Sequence, residues 1–134
     1  MKNKVAAVLL SGLFSSSAFA LDIDITLTNL SHGNHFTPLL FAAHDSGQHM
    51  FQIGVAATAS LQAMAEGCDI SFLNTNMMSV DADVNANPAG GLMMPGQTVQ
   101  FTMTTQNTNT QLSAVAMILP TNDAFSGINA NGTR

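Results

Sequence analysis

Positive charge is the first thing this sequence lacks: three lysines and arginines face eight aspartates and glutamates in 134 residues. Lys2 and Lys4 sit in the extreme N-terminus, so the rest of the chain has Arg134 as its one fixed cation against all eight carboxylates, a formal net charge of −7. Such a chain has no basic patch to neutralise phosphates, which argues against nucleic acid and anionic lipid as partners. Nor can its acids be used up in salt bridges; they must be solvated, capped by backbone amides or placed on a metal ion. Cysteine is almost missing. Cys68 is alone, so it cannot staple the domain; it reads as a half-buried thiol, with an intermolecular disulfide as the alternative. No Gly-x-Ser-x-Gly elbow occurs and no serine or cysteine lies in a recognisable nucleophile setting, so an enzyme is not expected. No internal repeat is visible.

What is present begins with a leader. Lys2 and Lys4 form a charged start, residues 5–14 are a short apolar run broken by Ser11 and Gly12, and Ala18-Phe19-Ala20 offers small residues at a cleavage site. Residues 1–20 are therefore expected to be a Sec-type signal peptide cut after Ala20. The run is shorter than the roughly 20 apolar residues that span a bilayer. No cysteine follows the cut, so no lipid anchor is expected. The product is expected to be periplasmic or secreted. Taking twenty residues from 134 leaves 114, enough for one small domain, residues 21–134.

Within that domain Leu21, Ile23, Ile25 and Leu27 alternate with Asp or Thr, which predicts a half-buried strand. Residues 29–34 read as a turn. Residues 37–43 and 49–55 are apolar segments compatible with strands, separated by the turn signal Asp45-Ser46-Gly47. The period then changes: Leu61, Met64 and Ala65 fall on one helical face, Thr58 or Ser60 can cap the start and Gly67 is placed to end it. Residues 69–80 are ambiguous, with a second helical turn possible through Phe72 and Leu73. Residues 81–91 read as loop. After a Pro95-Gly96 turn, residues 98–104 alternate again with Val99, Phe101 and Met103 inward. Residues 106–111 suit a hairpin tip, and residues 112–119 are continuously apolar, as in a strand covered on both faces. Strands dominate, without the rhythm of a parallel sheet. The expected fold is all-β, an antiparallel β-sandwich with one short helix.

Four places could carry chemistry. His32, His35, His44 and His49, with the methionine pairs Met77-Met78 and Met93-Met94, could serve a copper-type site through imidazole and thioether ligands. They lack the spacing of a zinc signature, and methionine is also a common core filler. Asp81-Ala82-Asp83-Val84-Asn85 begins like an EF-hand loop, but Ala86 and Leu92 stand where glycine and glutamate are needed. Cys68 has no partner. Pro120-Thr121-Asn122-Asp123 is a polar corner at the end of a buried strand, where calcium could find hard oxygens; an Asx-type turn needing no ion accounts for it equally well.

A resemblance now emerges. Ile25-Thr26-Leu27-Thr28-Asn29-Leu30, Phe36-Thr37-Pro38-Leu39, Ala43-His44-Asp45, Met50-Phe51-Gln52-Ile53-Gly54, Ala65-Glu66-Gly67, Met94-Pro95-Gly96 and the stretch ending at Phe125 occur in that order. Together they resemble the spondin N-terminal domain family in a short exported bacterial form. The resemblance implies a C2-like sandwich, a role in extracellular or cell-surface adhesion with an unknown partner, and calcium near one end. Asp123 matches the family's first calcium-ligand aspartate. The later Asp-Ala-Gly-Thr-acid motif that supplies the other ligands does not occur before Arg134, so the domain is expected to be incomplete at its C-terminus and its calcium weakly held. Residues 120–125 also resemble the first motif of fasciclin-type adhesion domains, without the ordered similarity elsewhere. The rival readings are a periplasmic metal-handling protein built on the His and Met residues, and a subunit of a surface assembly.

Overall fold

In the computed structural model, residues 19–130 are described; the expected signal peptide falls almost wholly outside them. The chain forms strands β1 (Ala20–Thr28), β2 (His35–Phe36) and β3 (Leu40–His44), helices α1 (Ala59–Gly67) and α2 (Ser71–Ser79), then β4 (Asp83–Ala86), β5 (Thr98–Gln106), β6 (Gln111–Leu119) and β7 (Phe125–Ile128). All pairings are antiparallel. One sheet is the ribbon β1-β5; the other has the order β2-β6-β3-β4, with β7 on β6. The fold is an antiparallel β-sandwich carrying two short helices, where the sequence suggested one.

Alternation explains why the larger sheet is buried on both sides. Leu40, Ala42, Val115 and Met117 face a core shared with Leu61 and Met64 of α1 and Leu73 and Met77 of α2. Their neighbours Leu39, Phe41, Ala43, Ala114 and Ala116 face the β1-β5 ribbon, joined by Met93 and Met103. Phe41 meets Phe101 edge to face, with centroids 4.9 Å apart. The layers are therefore helices, sheet and ribbon.

Four local expectations change. Residues 49–55 are not a strand: Gly54 takes φ +83° in a turn closed by Val55 N–H donating to the Gln52 carbonyl, leaving Ile53 exposed. Residues 81–91 are not all loop, because Asp83–Ala86 pairs with β3. Residues 69–80 hold a full helix. Finally, Gly67 stays helical and the left-handed C-cap falls on Cys68, at φ 60°. Thr58 does cap α1, accepting from Leu61 N–H.

Helix α2 begins without a side-chain cap on Ile70; Asp69 compensates by accepting Ser71 N–H at 2.9 Å. Hydrogen bonds to Ser71 hold the Asp69 carboxyl below its ordinary value. A depressed carboxyl stabilises the fold above its unfolded pKa and loses that contribution as pH falls through the lowered folded value. Acid titration followed by NMR is expected to loosen the first turn of α2 only in that low range, and Asp69→Asn is expected to flatten the response.

Candidate functional site

Three loops gather at the end of the sandwich where β1 and β6 finish. The first, residues 29–34, is organised by Asn29, which is 0 % exposed. Its amide donates to the carbonyls of Asn34 (2.8 Å) and Met93 (3.0 Å). Its oxygen accepts from the Ser31 N–H and hydroxyl. Backbone bonds from Asn29 to Gln97 and from Gly96 to Asn29 lock in the second loop. One buried asparagine thus fixes two loops, with all four of its side-chain hydrogen-bonding positions used.

The third loop is the corner after β6. The Leu119–Pro120 bond is cis. Thr121, not an aspartate or asparagine, closes the turn: its hydroxyl donates to the Ile118 carbonyl and accepts Ala124 N–H at 3.2 Å. Ile118 N–H also reaches the Ala124 carbonyl at 2.8 Å. The Asx-turn explanation of Asp123 therefore fails, and among the described residues its carboxylate has no hydrogen-bond partner.

Among the described acids only Asp81, whose backbone carbonyl but not carboxylate is bonded, shares that idleness. Asp22 and Asp24 accept from Thr104 and Thr102, Asp45 from Gly47 and Asp69 from Ser71. Asp83 accepts Gln106 N–H at 2.7 Å and the Asn109 amide at 2.8 Å. Glu66 accepts from Gln62. Asp123 instead lines an open crevice with Glu66, over a floor that includes Leu61, Ala65 and Phe125. Two carboxylates from different elements, one on α1 and one on the corner, thus border the same space. Sequence reasoning reached Asp123 but missed Glu66; the available signal was Gln62 and Glu66 four residues apart on the exposed side of the helix.

Several of the other candidates have structural duties, while His32 and His49 are exposed and His35 is half-buried on β2. His44, fully buried, has Nδ1 2.7 Å from the Asp45 carbonyl and Nε2 2.8 Å from the Ser113 hydroxyl. A carbonyl only accepts, so Nδ1 carries a proton. Ser113 in turn donates to Asn129, whose amide reaches the Phe51 carbonyl. In each methionine pair the first member, Met77 or Met93, is core, and Met78 and Met94 are exposed. Cys68 is half-buried, and its thiol lies 3.3 Å from Met117 Sδ. In the EF-hand-like stretch the Asp83 carboxylate clamps the β5-β6 hairpin tip, helped by the Asp81 backbone carbonyl, which accepts from Asn109. Among the described residues no three of His, Cys, Asp or Glu converge as a metal-binding group.

The Spondin_N family matches residues 6–131 of the 134. The chain belongs to the spondin N-terminal domain family. Comparison with curated proteins finds no match. Membership places this spondin domain among secreted or extracellular modules at the level of the family. Among the described residues of the spondin domain no helix is long and apolar enough to cross a membrane.

Proposed function

We propose that this spondin N-terminal domain is an exported, non-catalytic adhesion or binding module, cut after Ala20, that uses its loop end toward an extracellular or cell-surface partner and holds calcium weakly at Asp123. The observation that supports the calcium reading is the unused Asp123 carboxylate, on a corner already closed by Thr121 and facing the Glu66 side of a solvent-open crevice. Calcium takes six to eight oxygens. Asp123 would hold the ion, Glu66 is the one other carboxylate bordering the space, and water would fill the remaining positions. Bound there, calcium would supply positive charge that stiffens the corner and offsets local acidity. So thin a donor set fits a weak site.

Calorimetry is expected to give a dissociation constant of about 10⁻⁴–10⁻³ M or weaker. Asp123→Asn should abolish the heat, Glu66→Gln should weaken it, and Asp81→Asn should leave it unchanged. Equal binding by Asp123→Asn would remove the site.

A further inference from the structure

We propose that the free edge of β1 takes up an extended segment of a partner protein, one that alternates basic and apolar residues. The ribbon β1-β5 has two strands, whereas the sheet behind it is wider. Strand β5 lies over β3 and β4, with Phe101 on Phe41 and Gln106 N–H on Asp83. The end of strand β1 comes toward β6 and β7, where Leu27 shares a crevice with Ala116 and Ile128. Phe125 packs on Phe51 on the helix side, so alternation turns Ser126 and Ile128 toward the ribbon. There Ile128 remains 55 % exposed. That small crevice of about 70 Å³ opens at this point, lined by Leu27, Phe36, Leu39, Ala114, Ala116 and Ile128. Ile23, Ile25 and Leu27 on the inner face of β1 are only half covered. Among the described residues β1 pairs with β5 alone, so its other row of backbone donors and acceptors is open, with an apolar crevice at its Leu27 end. A strand added there would satisfy both, which is strand addition in its usual form.

Charge selects the occupant. The outer face of β1 carries Asp22 and Asp24, each using one carboxylate oxygen on a β5 threonine at 2.7 Å. Opposite charges across strands stabilise pairing and like charges oppose it. Beyond the N-terminal lysines the chain has one fixed cation, Arg134, so a second copy cannot offer two cations two residues apart to this edge. A fitting strand carries Lys or Arg at two positions two apart, facing Asp22 and Asp24, with an apolar residue between them dropping beside Ile23. This goes beyond the calcium reading and is independent of Asp123.

The test uses the purified protein and three eight-residue peptides: alternating Lys and Val, the same composition with the alternation broken, and alternating Glu and Val. Hydrogen exchange is expected to show protection of β1 amides by the Lys-Val peptide alone, unaffected by chelator or by Asp123→Asn. The double variant Asp22→Asn/Asp24→Asn, both exposed, is expected to weaken binding about five- to tenfold. Equal binding of the broken-pattern peptide, or no β1 protection with any peptide, overturns the proposal. So does sedimentation showing that a second copy already protects this edge.

Discussion

Phe41→Ala is expected to remove about 3–5 kcal/mol of stability, the range for deleting a buried phenylalanine. Phe41 is 1 % exposed and meets Phe101 across the two sheets. No internal disulfide helps hold those sheets together, since Cys68 is the only cysteine. The ring's surroundings include Ala43, Ala114 and Ala116, whose short side chains cannot reach into the space it leaves. A volume-retaining Phe41→Leu should cost far less. Urea melts of both variants, with a Phe41/Phe101 double-mutant cycle, would separate lost volume from the ring contact, whose coupling is expected to be about 0.5–1.5 kcal/mol. A Phe41→Ala loss below about 1 kcal/mol would mean that the sheets are joined elsewhere.

The second large effect is expected at Asn29. Asn29→Ala strips hydrogen bonds from the carbonyls of Asn34 and Met93 and from Ser31, and leaving buried polar groups unmade should cost about 2–3 kcal/mol. Asn29→Asp keeps the acceptor side but points a carboxylate at two carbonyl oxygens. It should be at least as damaging at neutral pH and partly relieved in acid, when a protonated carboxyl can donate to one of them. Because this side chain joins the 29–34 and 92–97 loops, amide exchange should rise in both together. A rise in one loop alone would show that they are fixed separately.

How far the fold could be read from the chain depended on which residues set each element. Strands β1 and β5 announce themselves because one face is water and the other core, so Ile23, Ile25, Val99, Phe101 and Met103 alternate with Asp, Thr and Gln. The unbroken apolar run of β6 follows equally directly from its place between two cores. Strand β4 was hidden: Asp83, Asn85 and Ala86 have poor strand propensity, and it is pairing to β3, with Asp83 clamped to Gln106 and Asn109, that makes it a strand. The apolar segment at 49–55 misled in the opposite sense. Its hydrophobicity suggested burial, yet the backbone turns at Gly54 and the Phe51 carbonyl is bound by the distant Asn129.

The candidate site divides along the same line. Asp123 could be named because its corner motif is local in sequence. Glu66 could not, because the two meet only after α1 packs on the sheet. That Thr121 closes the corner and leaves Asp123 unused is a matter of hydroxyl geometry, invisible in a stretch where Asn122 and Asp123 look like equally good turn formers.

The double-sided burial of β3 and β6 also bears on how this gene can change. On β6 the larger Val115 and Met117 point to the helices and the smaller Ala114 and Ala116 to the ribbon. Losing or gaining one codon within that strand would exchange the two sets, pushing bulky side chains into the narrow gap between the sheets and leaving voids under the helices. Single-residue indels should therefore be lethal to folding inside β3 and β6 and far better tolerated at the exposed Asn107-Thr108 tip, a pattern that a deep indel scan of the gene would display directly.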